Sequence, residues 1–186
     1  MPVDRRAFMA LLGCSVASPA LAQAPAMSRP TAYAFSFTGL DGGSLMLAGH
    51  AGKPILIVNT ASHCGYTPQL AGLQQLWTRY RERGLMIIGV PSNDFGGQEP
   101  GGPVEINKTA QGQFGVSFPL AAKADVKGPS AHPFYKWALL ERPGDAPRWN
   151  FHKYLIGHDG LLAAVFSTQV EPTDPRVIAA IEKELR

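Results

Sequence analysis

Residues 55–69 read ILIVNTASHCGYTPQ, and this stretch decides the fold. Its first four residues are branched aliphatic and follow Pro54, which suits a central strand covered on both faces better than a half-exposed strand that would alternate. Cys64 falls just past the end of that strand. Thr67 can act as N-cap and Pro68 as the first helical residue, so the chain is expected to pass from strand to helix within about one turn of the cysteine. A thiol there faces unpaired backbone N–H groups and the positive end of a helix dipole, both of which favour the thiolate. Against this stands Cys64 as a small buried hydrophobe. The rest of the chain decides between the two.

After the cysteine, Leu70, Leu73, Leu76, Trp77 and Tyr80 follow the spacing of one apolar helix face, and Gly84 ends the helix. Residues 85–90, LMIIGV, form a second short apolar strand stopped by Pro91, which makes strand, helix and strand a right-handed parallel βαβ unit. On the N-terminal side, residues 33–37 and 44–47 flank Asp41-Gly42-Gly43 and read as a β-hairpin. On the C-terminal side, residues 92–102 are loop by composition, and their glycines match no phosphate-binding fingerprint. Residues 103–113 read as a short helix interrupted by Gly112, residues 118–126 as a strand or extended segment, and a further short helix begins at His132 and ends by Pro143. Residues 151–156 and 161–167 flank the turn His158-Asp159-Gly160, and a last helix runs from Asp174 with Val177, Ile178 and Ile181 inward. A βαβ unit followed by a β-hairpin and a helix is a thioredoxin-like arrangement: an α/β fold with a central mixed sheet, flanking helices and an extra N-terminal hairpin.

The chain has 186 residues, 45% hydrophobic and 17% charged, enough for one domain with a full core and unlike a disordered or coiled-coil composition. The net charge is +3 with scattered basic residues; Arg79, Arg81 and Arg83, the densest group, spread over a solvated helix face, so no nucleic acid is expected as partner.

Residues 1–22 read as an export signal. Arg5 and Arg6 open an apolar run too short for a membrane span, Ala20-Leu21-Ala22 offers a cleavage site, and DRRAFMALL resembles a twin-arginine signal. Residues 23–30 are a flexible lead-in, and 31–186 the folded domain. The expectation is an exported, periplasmic protein. LLGC at residues 11–14 offers an alternative, a membrane-anchored lipoprotein lipidated at Cys14; without that anchor no stable membrane association is expected. Cleavage after Ala22 removes Asp4, Arg5, Arg6 and Cys14, lowers the charge to +2 and leaves Cys64 as a lone thiol that has no intramolecular disulfide partner.

ASHCGYTPQ, NDFGGQEPG, FGVSFPL and RWNFHKYLI with HDG, in this order, closely resemble the glutathione peroxidase family over about residues 31–184. The family's reactive residue matches Cys64, its glutamine Gln98, and its tryptophan and asparagine Trp149 and Asn150. The residue types suit the chemistry. A thiolate splits a peroxide by attacking one oxygen in line with the O–O bond, forming sulfenic acid, so the site needs a deprotonated sulfur and donors that hold the anion. Two carboxamides and an indole N–H are donors that stay neutral, and they hold a thiolate without the overstabilisation that costs nucleophilicity. Each residue also has a structural reading: Gln98 bracing its loop, Trp149 as a core aromatic, Asn150 as a turn residue, with Glu99 merely solvated. His63, where the family commonly has lysine, either tunes the thiolate, attracts an anionic thiol, or is an exposed flanking residue; the last is expected.

The departures shape the expected cycle. The resemblance puts a resolving cysteine at position 110, which here is Ala110, while Ser92 and Asp94 stand where the family has cysteine and glutamine. This implies a one-cysteine cycle without prosthetic cofactor, in which an external thiol, glutathione or a thioredoxin-like protein, restores Cys64. Thirteen residues separate Tyr135 from Trp149, too few for the family's tetramer-building insertion, which implies a monomer and a site open to bulky lipid hydroperoxides as well as hydrogen peroxide. A disulfide reductase would need a second cysteine where Thr67 stands. A non-turnover redox sensor or binding protein of thioredoxin fold is the alternative to an enzyme.

Overall fold

A computed structural model describes residues 29–185 of the chain. The export signal at 1–22, the lipidation alternative at Cys14 and most of the 23–30 lead-in lie outside the described residues. A hairpin of β1 (Ser36–Thr38) and β2 (Ser44–Met46) precedes β3 (Ile55–Thr60), α1 (Gln69–Tyr80) and β4 (Met86–Pro91). Then come α2 (Pro103–Asn107), α3 (Pro133–Glu141), β5 (Lys153–Ile156), β6 (Leu162–Phe166) and α4 (Pro175–Glu184). The main sheet has the order β4-β3-β5-β6, with β3 parallel to β4 and antiparallel to β5. This is the mixed sheet and flanking helices of a thioredoxin fold.

All six residues of β3 are buried, as an interior strand requires. Its side chains sort by parity. Leu56 and Val58 join the α1 and α4 side with Leu73, Leu76, Tyr80, Val177 and Ile181, while Ile55 and Ile57 join the α3 side with Phe134, Tyr154 and Ile88. Each of these fully buried side chains contributes roughly 1.5–3 kcal/mol, so the strand that leads to Cys64 is fixed from both faces.

Several expectations are corrected. Thr67 does not cap α1: its hydroxyl turns back into the preceding loop, and the helix begins at Gln69. Residues 33 and 34 of the expected first hairpin strand lie instead in a 3-10 turn (Ala32–Ala34), with strand pairing only from Ser36. Gly112 does not interrupt its helix; the coil widens to a π-helix over Lys108–Gln113, which contains both Gly112 and buried Ala110. The segment 118–121 joins the sheet edge through Gly89 alone, whose N–H donates to Pro119 O and whose carbonyl accepts from Ala121 N–H. A Cβ on Gly89 would stand 2.7 Å from Leu120 Cδ2 and 3.3 Å from the Phe118 ring, so a larger residue there would have to displace the Leu120 side chain. Asp174 caps α4 as expected, accepting from Arg176 N–H at 2.8 Å.

Candidate active site

Between the end of β3 and the start of α1 the chain makes an irregular turn that carries Cys64, buried to 7% exposure. Thr67 holds this turn together. Its hydroxyl oxygen accepts from Cys64 N–H at 3.1 Å, and its proton has Cys64 O at 2.7 Å and Ala61 O at 2.9 Å as acceptors. The backbone N–H of Tyr66 donates to the Cys64 sulfur at 3.4 Å, a neutral contact of the kind that stabilises a thiolate. His63 is exposed, as expected for a flanking residue.

The loop after β4 lies against this turn. His63 N–H donates to Gln98 O at 3.0 Å, and the Ser62 hydroxyl to Glu99 Oε2 at 3.1 Å. Gly96 and Gly97 give the loop its bend with φ of +67° and +65°, values that strain any residue with a Cβ. Glu99 is not solvated, contrary to expectation. It is 2% exposed, and burial pushes its carboxyl above the ordinary range, with the Ser62 hydroxyl pulling the other way.

Trp149 and Asn150 reach the same place from the other side of β3, on the segment that leads into β5. Asn59, a polar residue in an otherwise apolar strand, pins their segment: its Nδ2 donates to Trp149 O at 3.1 Å and its backbone carbonyl accepts from Phe151 N–H at 2.6 Å. Phe151 has φ of +63°, the one described non-glycine residue with a left-handed backbone, so the turn that aims Trp149 and Asn150 is strained. Beneath it lies fully buried Lys153, whose ammonium donates to Phe151 O at 2.6 Å and to Gln69 Oε1, at the start of α1, at 2.8 Å. Burial lowers the Lys153 pKa to about 8. His152 beside it is lowered to about 4, chiefly by burial and secondarily by the Lys153 charge, and stays neutral near pH 7.

Asn150 is fully buried, with its backbone carbonyl accepting from Thr168 Oγ1 at 2.7 Å. Its Nδ2 donates to Gln98 Oε1 at 2.9 Å, and Gln98 Nε2 has no acceptor among the described residues. Trp149 is 38% exposed and tilts against Phe95 at 5.9 Å, so it is no ordinary core aromatic; its indole N–H has no partner among the described residues. Gln98, Trp149 and Asn150 therefore converge, and the Gln98 loop is bonded to the residue next to Cys64. Tyr66, Trp149, His152 and Arg148 border a cavity of about 670 Å³ beside this cluster. Among the described residues no group of three or more His, Cys, Asp or Glu could hold a metal ion. Sequence reasoning missed Asn59, Lys153 and Glu99. The first two carried a legible signal, a polar residue inside an apolar strand pattern; Glu99 carried none.

Residues 32–139 match the family model described as glutathione peroxidase. A hydroperoxy fatty acid reductase (gpx1) of Synechocystis sp. is 41% identical over 169 residues, covering 86% of this chain and 99% of that one. A second hydroperoxy fatty acid reductase (Gpx2) of the same organism is 48% identical over 150 residues, covering 81% and 96%. Among solved structures, the crystal structure of T. cruzi GPX1 superposes with a TM-score of 0.67 at 30% identity, over 84% of this chain and 97% of that one.

Proposed function

We propose, from the premise that this chain belongs to the glutathione peroxidase family, that it is a thiol-dependent peroxidase with Cys64 as its nucleophile and Gln98, Trp149 and Asn150 as its donors. The observation that carries the reading is the Asn150 to Gln98 hydrogen bond, which joins residues 52 apart in sequence beside the Cys64 turn and leaves a neutral amide donor unspent. In the first step the thiolate attacks one peroxide oxygen. The S–O bond forms, the O–O bond breaks and sulfur loses two electrons. The leaving alkoxide, or hydroxide from hydrogen peroxide, takes up a proton in place of the one the Cys64 thiol released and departs as alcohol or water. The Gln98, Trp149 and Asn150 N–H groups hold the thiolate before attack and the developing negative charge on the leaving oxygen after it.

The second half uses external thiols. Cys64 is the only cysteine among the described residues, and position 110 is a buried alanine. A thiol attacks the sulfenic acid to give a mixed disulfide and water; a second thiol then releases Cys64 and leaves as a disulfide with the first. Glutathione or a thioredoxin-like protein fits this role, and the cycle as written calls for no prosthetic group. The substrates are hydrogen peroxide and organic hydroperoxides, lipid hydroperoxides included; the names of the Synechocystis relatives and the short segment before Trp149 favour that breadth. The same short segment favours a monomer. The signal-like residues 1–22 favour export to the periplasm by a twin-arginine route.

The test is to add one equivalent of cumene hydroperoxide and weigh the Cys64 peptide, then add glutathione. Gain of one oxygen, followed by a glutathione adduct and recovery of the thiol with excess donor, is expected. A Cys64 that stays a thiol overturns the peroxidase reading, and one that oxidises but is restored by no donor turns it into a sensor.

A further inference from the structure

Glu99 is buried with no ion pair to its carboxyl among the described residues, although the His63 and Lys123 charges act on it from farther off. Lys123, which approaches from the neighbouring segment, gives its ammonium protons to the backbone carbonyls of Glu99 and Gly101 at 3.1 and 3.0 Å. One carboxyl oxygen accepts from Ser62; the other, Oε1, has no partner among the described residues. Such a group costs stability relative to an apolar side chain of similar size, so filling the loop does not account for it. What the carboxyl does is reach across to the cysteine turn. Ser62 lies two residues before Cys64, and the bond from Ser62 to Glu99 runs beside the bond from His63 N–H to Gln98 O. Residues 62–63 and 98–99 are thus joined by two rungs, one from backbone and one from side chains. Behind them Asn93 Oδ1 accepts from Glu99 N–H at 2.9 Å, which fixes the loop end of the rung.

We propose that Glu99 is a positioning residue for peroxide reduction at Cys64: through Ser62 it sets the placement of the cysteine turn against the Gln98 amide, which Asn150 orients from the opposite side. This rests on the peroxidase reading above. The reaction needs sulfur, peroxide and donor in line, and a rung of this kind holds two loops in register that no regular secondary structure joins. Glu99 itself touches neither sulfur nor peroxide in this role.

The experiment measures the rate of Cys64 oxidation by cumene hydroperoxide, and in parallel its alkylation by iodoacetamide, in the parent and in Ser62→Ala, Glu99→Gln, Glu99→Ala and the double variant Ser62→Ala/Glu99→Ala. Glu99→Ala is expected to oxidise about tenfold more slowly and Ser62→Ala about threefold, with alkylation not slowed in either. Glu99→Gln, which keeps an acceptor for Ser62, recovers most of the rate. Adding Ser62→Ala to Glu99→Ala costs nothing further, because the rung is already broken. Ser62→Ala truncates a half-buried hydroxyl and decides the matter even where Glu99→Ala does not fold. A Ser62→Ala oxidation rate within about twofold of the parent, or alkylation rates that fall in parallel with oxidation, overturns the positioning role. A parent whose Cys64 does not oxidise overturns the peroxidase reading instead.

Discussion

The turn that presents Cys64 and the layer that presents Asn150 are both held by buried hydrogen bonds, but over very different spans of chain. Thr67 binds partners three and six residues away. Asn150 reaches Gln98 across 52 residues, and Lys153 reaches Gln69 across 84. The cysteine turn thus takes its internal shape from near neighbours and only its placement from residues 98 and 99, whereas the proposed donors exist as a set only once β3, β5 and the loop after β4 are packed. The two regions should fail differently when altered: the first by losing local order, the second by losing rate while the fold persists.

The sharpest way to break the contrast is at the long-range bond. Asn150→Ala removes one donor and frees the Gln98 amide to rotate, so oxidation of Cys64 is expected to slow about 100-fold; Gln98→Ala, at a half-buried position, slows it about tenfold. Single-turnover oxidation of each variant checks this, and equal, small effects would dissolve the distinction between the two residues.

Lys153 tests the layer through pH. Its folded pKa is about 8 against an ordinary 10.5. Below pH 8 both folded and unfolded chains carry the proton, and the cost of the buried charge is constant. Between 8 and 10.5 the unfolded chain binds more protons than the folded one, so this group makes stability rise with pH. Relative to Lys153→Met, which has no such proton, the parent should gain about 2 kcal/mol between about pH 7.5 and 9.5 in denaturant unfolding. A difference that stays flat with pH would mean that the ammonium is not desolvated in the folded protein.

The smallest effect belongs to the local turn. Thr67→Val keeps the shape of the side chain but deprives Cys64 N–H of its acceptor and leaves Ala61 O and Cys64 O without the hydroxyl proton, at a cost of about 1–2 kcal/mol. Thermal unfolding gives the value. A loss well above it would show that the turn depends on tertiary packing after all.

Much of the molecule was legible in the residues. The unbroken apolar run of β3, the apolar stripe of α1, the Asp-Gly turn before β6 and the Asp174-Pro175 start of α4 all appear as read, because each is governed by neighbours within one or two turns of chain. Gln98, Trp149 and Asn150 were legible as a set through the family resemblance, and nothing in their local sequence says that they meet. Thr67 misled because a hydroxyl able to cap a helix is equally able to bond the loop before it, and the choice depends on where Ala61 O and Cys64 O come to lie. Glu99 misled because a carboxylate in a glycine- and proline-rich loop is ordinarily solvated.

The sequence by itself determined the strand, the turn and the placement of one thiol at their junction, since hydrophobic period and turn chemistry act over a few residues. Only the tertiary structure decided which segments meet beside the turn of that thiol, that Lys153 and Glu99 are buried, and that Phe151 takes a strained backbone. Those outcomes depend on contacts between segments tens of residues apart, where burial and hydrogen bonding are settled by packing rather than by any local preference.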